Sequence, residues 1–170
     1  MKPLTQALRA AWITGSVASL ASTGMLAWRG RVDNGRGQGT LNAPSHWVWG
    51  DEALRQHHAS LRYTGTGLMV HHLASVFWAV LYERACTSRR PRALARLSCH
   101  AAAVASVAAA VDLRLVPARF TPGFEHHLSR RSLVLVYAAF AAGIVLGGAW
   151  ADRRFCRSAA AETPATPRPG

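Results

Sequence analysis

The chain has 170 residues, half of them hydrophobic and 16% charged, with a formal net charge of +12. That length allows one domain, and composition alone does not decide the class; the placement of the charges does. The basic excess does not point to nucleic acid: all but one of the 20 basic residues are Arg, and most stand at the ends of apolar stretches, where anionic lipid headgroups are the fitting partner.

Four windows, Ala10–Trp28, Tyr63–Tyr82, Leu97–Val111 and Ser132–Ala151, contain no Asp, Glu, Lys or Arg, and each is closed by charge at both ends. A helix crosses the hydrocarbon of a bilayer with roughly 20 residues and admits almost no charge on the way. A soluble helical bundle would carry a charged outer face along each helix, which these windows lack. The expectation is an all-α integral membrane four-helix bundle, with spans at about 8–28, 64–82, 94–116 and 132–150 forming one domain over residues 1–157.

Span one is preceded by Lys2 and Arg9, as in a signal peptide, and Ser19–Ala21 loosely resembles a cleavage site. Thr14, Gly15 and Ser16 interrupt its apolar core, so it reads as a retained span. Gly15, Ser19 and Thr23 form a ridge of small residues along it.

The connection that follows begins with the Gly-rich stretch 29–40, a flexible linker whose glycines lack the spacing and preceding strand of a dinucleotide-binding loop. After it, Trp47, Leu54, His58 and Leu61 fall near one helical face, opposite Asp51, Glu52, Arg55 and Arg62. This pattern predicts a short helix lying in the interface between spans one and two, or a loop helix that covers the bundle.

Span two carries Thr64, Gly67, His71, Ser75 and Trp78 at helical spacing, a polar stripe expected to face the bundle. His72 is turned about 100° away from His71 and needs another partner, such as a hydroxyl of span one. Arg84, Arg89, Arg90, Arg92 and Arg96 crowd the next loop, which the positive-inside rule assigns to the cytoplasm. Both termini are then cytoplasmic. Trp12, Trp78, Tyr82 and Trp150 fall at the inner boundary, and Trp28 and Tyr63 at the outer one.

Span three carries Ser98, Ala102, Ser106 and Ala110 every four residues, and span four Ala139, Gly143, Gly147 and Ala151. Such ridges let helices approach closely in lipid. They serve either internal packing or a homo-oligomer, the latter through Gly143 and Gly147. The tail 158–170, rich in Ala, Pro and Thr, is expected to be disordered in the cytoplasm.

Six of the eight histidines form the dyads His57–His58, His71–His72 and His126–His127, all toward the outer side on this topology. By the helical rise His71 lies about 10 Å and Asp112 about 6 Å below the outer boundary. An ionisable group inside a span is costly without a partner, which makes the two a candidate intramembrane polar pair. They act as a hydrogen-bonded pin between helices, as part of a metal or haem site, or as a proton or ion relay. For a metal site the candidate ligands are His71, Asp112, Glu125 and His126, with His46 or His57 as further donors, and the cofactor would be zinc, copper or haem. The first reading needs no cofactor.

No nucleophile–base constellation supports an enzyme, since Cys99 and His100 are neighbours on one helix rather than facing partners. Cys86, Cys99 and Cys156 lack metal or redox spacing and fall on the presumed cytoplasmic side, where free thiols are expected.

The stretches LNAPSHWVWG, HHLASVFWAVLYE (His71–Glu83), VDLRLVP (Val111–Pro117) and RFTPGFEHHLS (Arg119–Ser129) resemble a family of small, uncharacterised bacterial four-span membrane proteins. The resemblance covers most of Leu41 to Gly147. It implies the fold and an inner-membrane location, and it assigns no catalytic or binding residue. The functional expectation is a non-enzymatic structural or accessory membrane protein with a polar His/Asp pocket near its outer face. The alternatives are a metal- or haem-binding membrane protein and a small transporter subunit.

Overall fold

A computed structural model describes residues 4–86 and 93–161, with side chains through Arg154. Its four long helices are α1 (Leu4–Asn34), α2 (Thr66–Ala85), α3 (Leu94–Ala110) and α4 (Arg130–Ala161). Single π-helical turns, Leu61–Gly65 and Val111–Leu115, lead into α2 and prolong α3. Counted with these turns, four segments are long and apolar enough to cross a membrane: Leu4–Asn34, Leu61–Ala85, Leu94–Leu115 and Arg130–Arg154. No strand is present among the described residues.

The outside of this bundle is apolar. Leu20 is 74% exposed, Leu146 65% and Phe77 57%, and water offers nothing to offset that exposure along whole helices. The arrangement fits a multi-pass membrane protein. Many large side chains face outward, while Ala, Gly and Ser fill much of the interior beside Tyr82, Leu97, Phe140 and Ile144, as expected where lipid supplies no hydrophobic drive between helices.

The small-residue ridges act inside the bundle. A Cβ added at Gly143 would stand 2.5 Å from Ala18 Cα, one at Gly147 2.7 Å from Thr14 Cα, and one at Gly15 2.6 Å from Val76 Cα. Gly143 and Gly147 thus pack against α1 within the chain. The ridge on α3 behaves differently: Ser98, Ala102, Ser106 and Ala110 are all exposed.

α1 packs against α4 along most of its length and against α2, whereas α3 leans on α4 and meets α2 only sparingly. The gap between α2 and α3 is closed at one end by two connections. In place of one continuous helix, residues 38–55 form a run of short turns, Gln38–Asn42, Ala43–Ser45, His46–Trp49 and Gly50–Arg55. Positions 42–46 are buried throughout, so Pro44 and the changes of hydrogen-bonding pattern fold this stretch into the bundle end. Asn42 holds it there, its amide donating to Gln56 O (2.9 Å) and His58 O (3.0 Å) while its carbonyl accepts from Thr64 Oγ1 (2.7 Å).

The second connection, 116–129, locks onto the first. Arg119 donates to the carbonyls of His46 (2.5 Å) and Trp47 (3.0 Å), and Trp47 Nε1 donates to Thr121 O (2.7 Å). Ser129 N donates to Asp33 Oδ2 (2.8 Å) at the end of α1. At the other end of the chain α4 runs on through Ala161, in keeping with the high helix propensity of the Ala run. The remainder of the expected tail, and Arg89, Arg90 and Arg92 of the basic loop, lie outside the described residues.

Candidate functional site

Where α2 and α3 part, the bundle encloses a cavity of about 510 Å³. The value falls within the usual range for small-molecule sites. Val70, His71, Leu73, Ala74 and Phe77 of α2 face Ala108 and Val111 across it, α4 supplies Val136, Tyr137 and Phe140, and Pro44, Trp47, Phe120 and Phe124 form the roof. Leu73, Phe77 and Phe120 line the space yet remain 55%, 57% and 51% exposed. They mark a mouth on the side of the bundle, at the level of the apolar belt.

The polar stripe of span two faces this space. His71, Ser75 and Trp78 line it, and Gly67 is buried beyond the roof. His71 is held from α1, its Nε2 2.8 Å from Ser22 Oγ, while its ring meets Phe124 edge-on at 6.4 Å. Asp112 lines the same cavity from the π turn that ends α3, and its Oδ2 accepts from the Tyr137 hydroxyl at 3.0 Å. His71 and Asp112 thus share one cavity, but no hydrogen bond or ion pair joins them among the described residues. Each has its own partner on a third helix. A π turn widens the backbone locally and is frequent at functional sites.

The four candidate metal ligands do not converge. His126 is largely exposed beside Glu125, 3.7 Å away, and His46 turns its Nδ1 to Ala43 O at 2.9 Å. No group of three or more His, Cys, Asp or Glu side chains among the described residues is placed to share a metal ion. Of the expected set His71, Asp112, Glu125 and His126, the first two line the cavity and the last two lie beside each other in the connection 116–129.

His72 finds the Trp12 ring, edge-on at 5.3 Å, in place of a hydroxyl. His57 and His127 meet edge-to-face at 5.8 Å in the outer connections, beside Asn34, Arg36 and Gly39. Burial, and then the positive charge that His57 would add, hold the His127 imidazole below the usual histidine range.

Sequence reasoning overlooked three polar residues. Ser22 and Tyr137 carry the hydrogen bonds of His71 and Asp112, and their only signal was a polar group within an apolar span. Glu83 was read as the charged end of span two, yet it is fully buried and accepts from Thr14 Oγ1 at 2.8 Å. Cys86 is buried and Cys99 exposed. No protein-family model, curated protein or solved structure matches the chain.

Proposed function

We propose that this chain is a multi-pass inner-membrane protein with cytoplasmic termini, an accessory protein without catalytic activity that holds a predominantly apolar molecule in the cavity between α2 and α3. The observation that carries the reading is the cavity itself, about 510 Å³, walled mainly by aromatic and aliphatic side chains and open toward the side of the bundle. A molecule dissolved in the bilayer reaches such a mouth without crossing water. His71 and Asp112 stand at separate points of the wall and orient the ligand's polar end, since a few polar groups in an apolar pocket set orientation.

The orientation rests on the Arg-rich connection 83–96 and places the roof at the outer face. There the exposed Trp47, Val48 and Trp49 rest in the interface, taking the role of the expected interfacial helix. The test is native mass spectrometry of the chain purified into lipid nanodiscs. Wild type retains one small molecule per chain, and Ala108→Phe, which fills the cavity from α3, loses it. Equal occupancy in the two proteins, or none in wild type, rejects the reading.

A further inference from the structure

Among the described residues, the ionisable groups that line the cavity are Asp112, His71 and the Tyr137 phenol, with no Lys or Arg beside them. Tyr137 engages one oxygen of Asp112 and the other, Oδ1, has no hydrogen bond among the described residues. Glu125, near enough to act on Asp112 electrostatically, keeps Oε2 buried without a partner. His71 turns its Nε2 to Ser22 Oγ rather than to Asp112. The cavity that Asp112 lines is rich in aromatic side chains: Trp47 and Phe120 stand edge-to-face at 5.9 Å, and Tyr137, Phe124 and Phe140 line the same space.

A carboxylate in a poorly solvated aromatic pocket selects a positive charge twice over. It attracts the charge directly, and the ring faces attract it through their quadrupoles. From the geometry we infer that the ligand is an amphipathic organic cation, a substituted ammonium or similar onium group with an apolar body, its charge against Asp112 and its body toward the mouth at Leu73 and Phe77. This deepens the proposed function and rests on the reading of the cavity as a ligand site. Neutral lipids and acyl anions fill the same volume but leave the carboxylate uncompensated, and an anion is repelled by it.

The experiment uses the full chain in nanodiscs of zwitterionic phosphatidylcholine, with tetraphenylphosphonium and tetraphenylborate as probes of nearly equal shape and opposite charge. The expected result is saturable binding of the cation at one site per chain and none of the anion. Asp112→Asn, which still accepts from Tyr137, should weaken the cation by about tenfold or more, the scale of one lost charge-assisted contact. Asp112→Glu should retain binding. Thermal unfolding of each variant shows whether the fold persists, and the Asp112→Glu arm decides the matter where Asp112→Asn fails to fold.

Absence of saturable cation binding, equal binding of the borate, or indifference to Asp112→Asn overturns the cation assignment. If a neutral apolar probe binds in wild type and is lost in Ala108→Phe, the cavity reading stands while this one falls. If Ala108→Phe changes the binding of no probe, both fall.

Discussion

The Tyr137 hydroxyl donates to Asp112 across 3.0 Å, and this bond ties α4 to the π turn that ends α3. It also leaves the other carboxylate oxygen without a hydrogen bond among the described residues, on a group that lines the cavity between α2 and α3.

Removing the donor should expose what the bond contributes. Tyr137→Phe leaves the carboxylate without its neutral partner, and the expected loss is about 1 kcal/mol, the scale of polar contacts between helices in membranes. Asp112→Asn alone should cost less, because the amide oxygen still accepts. Reversible unfolding in mixed micelles measures both. A double-mutant cycle with no coupling between the two positions would show the contact to be energetically silent.

Glycine substitutions should separate close approach from mere presence in a helix. Gly143→Val and Gly147→Val drive a side chain into the α1 backbone at Ala18 and Thr14, and overpacking of this kind costs about 1–3 kcal/mol or more. Gly24, in the middle of α1, has nothing within 4 Å of an added Cβ, so Gly24→Ala should be neutral or slightly stabilising. Comparable losses at all three positions would contradict the packing of α1 on α4.

Topology is open to direct measurement. Reporter fusions after Arg92 and after Arg157 should report cytoplasm, and one after Gly37 should report periplasm. The chain should resist carbonate extraction, since release would strip four apolar helices of hydrocarbon contact. The inverse reporter pattern would turn the cavity roof toward the cytoplasm.

Acid should loosen the outer connections. His127 is held below its ordinary value of 6.5 by burial and by His57, with Glu125 opposing. Above pH 6.5 both the folded and unfolded forms are neutral and the packing is intact. As the pH falls through 6.5 the unfolded chain takes up a proton that the folded one resists, so stability declines until the lower folded pKa is reached. Melting temperatures from pH 8 to pH 5 should fall, and His127→Gln should flatten that dependence. An unchanged slope in the variant would assign the acid sensitivity to other groups.

The position of every span was legible in the amino-acid sequence because exclusion of charge from hydrocarbon acts on each segment by itself. The stretches Ala10–Trp28 and Ser132–Ala151 could be located without knowing what they touch. The polar face of α2 was legible for a similar reason, since Gly67, His71 and Ser75 repeat with the helical period.

Partner choice was decided only in three dimensions. Depth along a span placed His71 and Asp112 at similar levels, but contact also depends on the rotation of each helix and on the gap between α2 and α3. Those quantities follow from where Gly15, Gly143 and Gly147 let backbones meet. That packing gave His71 to Ser22 and Asp112 to Tyr137 and left the two candidates lining one cavity without a bond between them among the described residues. Glu83 shows the same limit, for a charge at the end of an apolar window looks solvated until a neighbouring helix buries it. Segment hydrophobicity is a property of the local chain, whereas the meeting of two side chains is a property of the whole bundle.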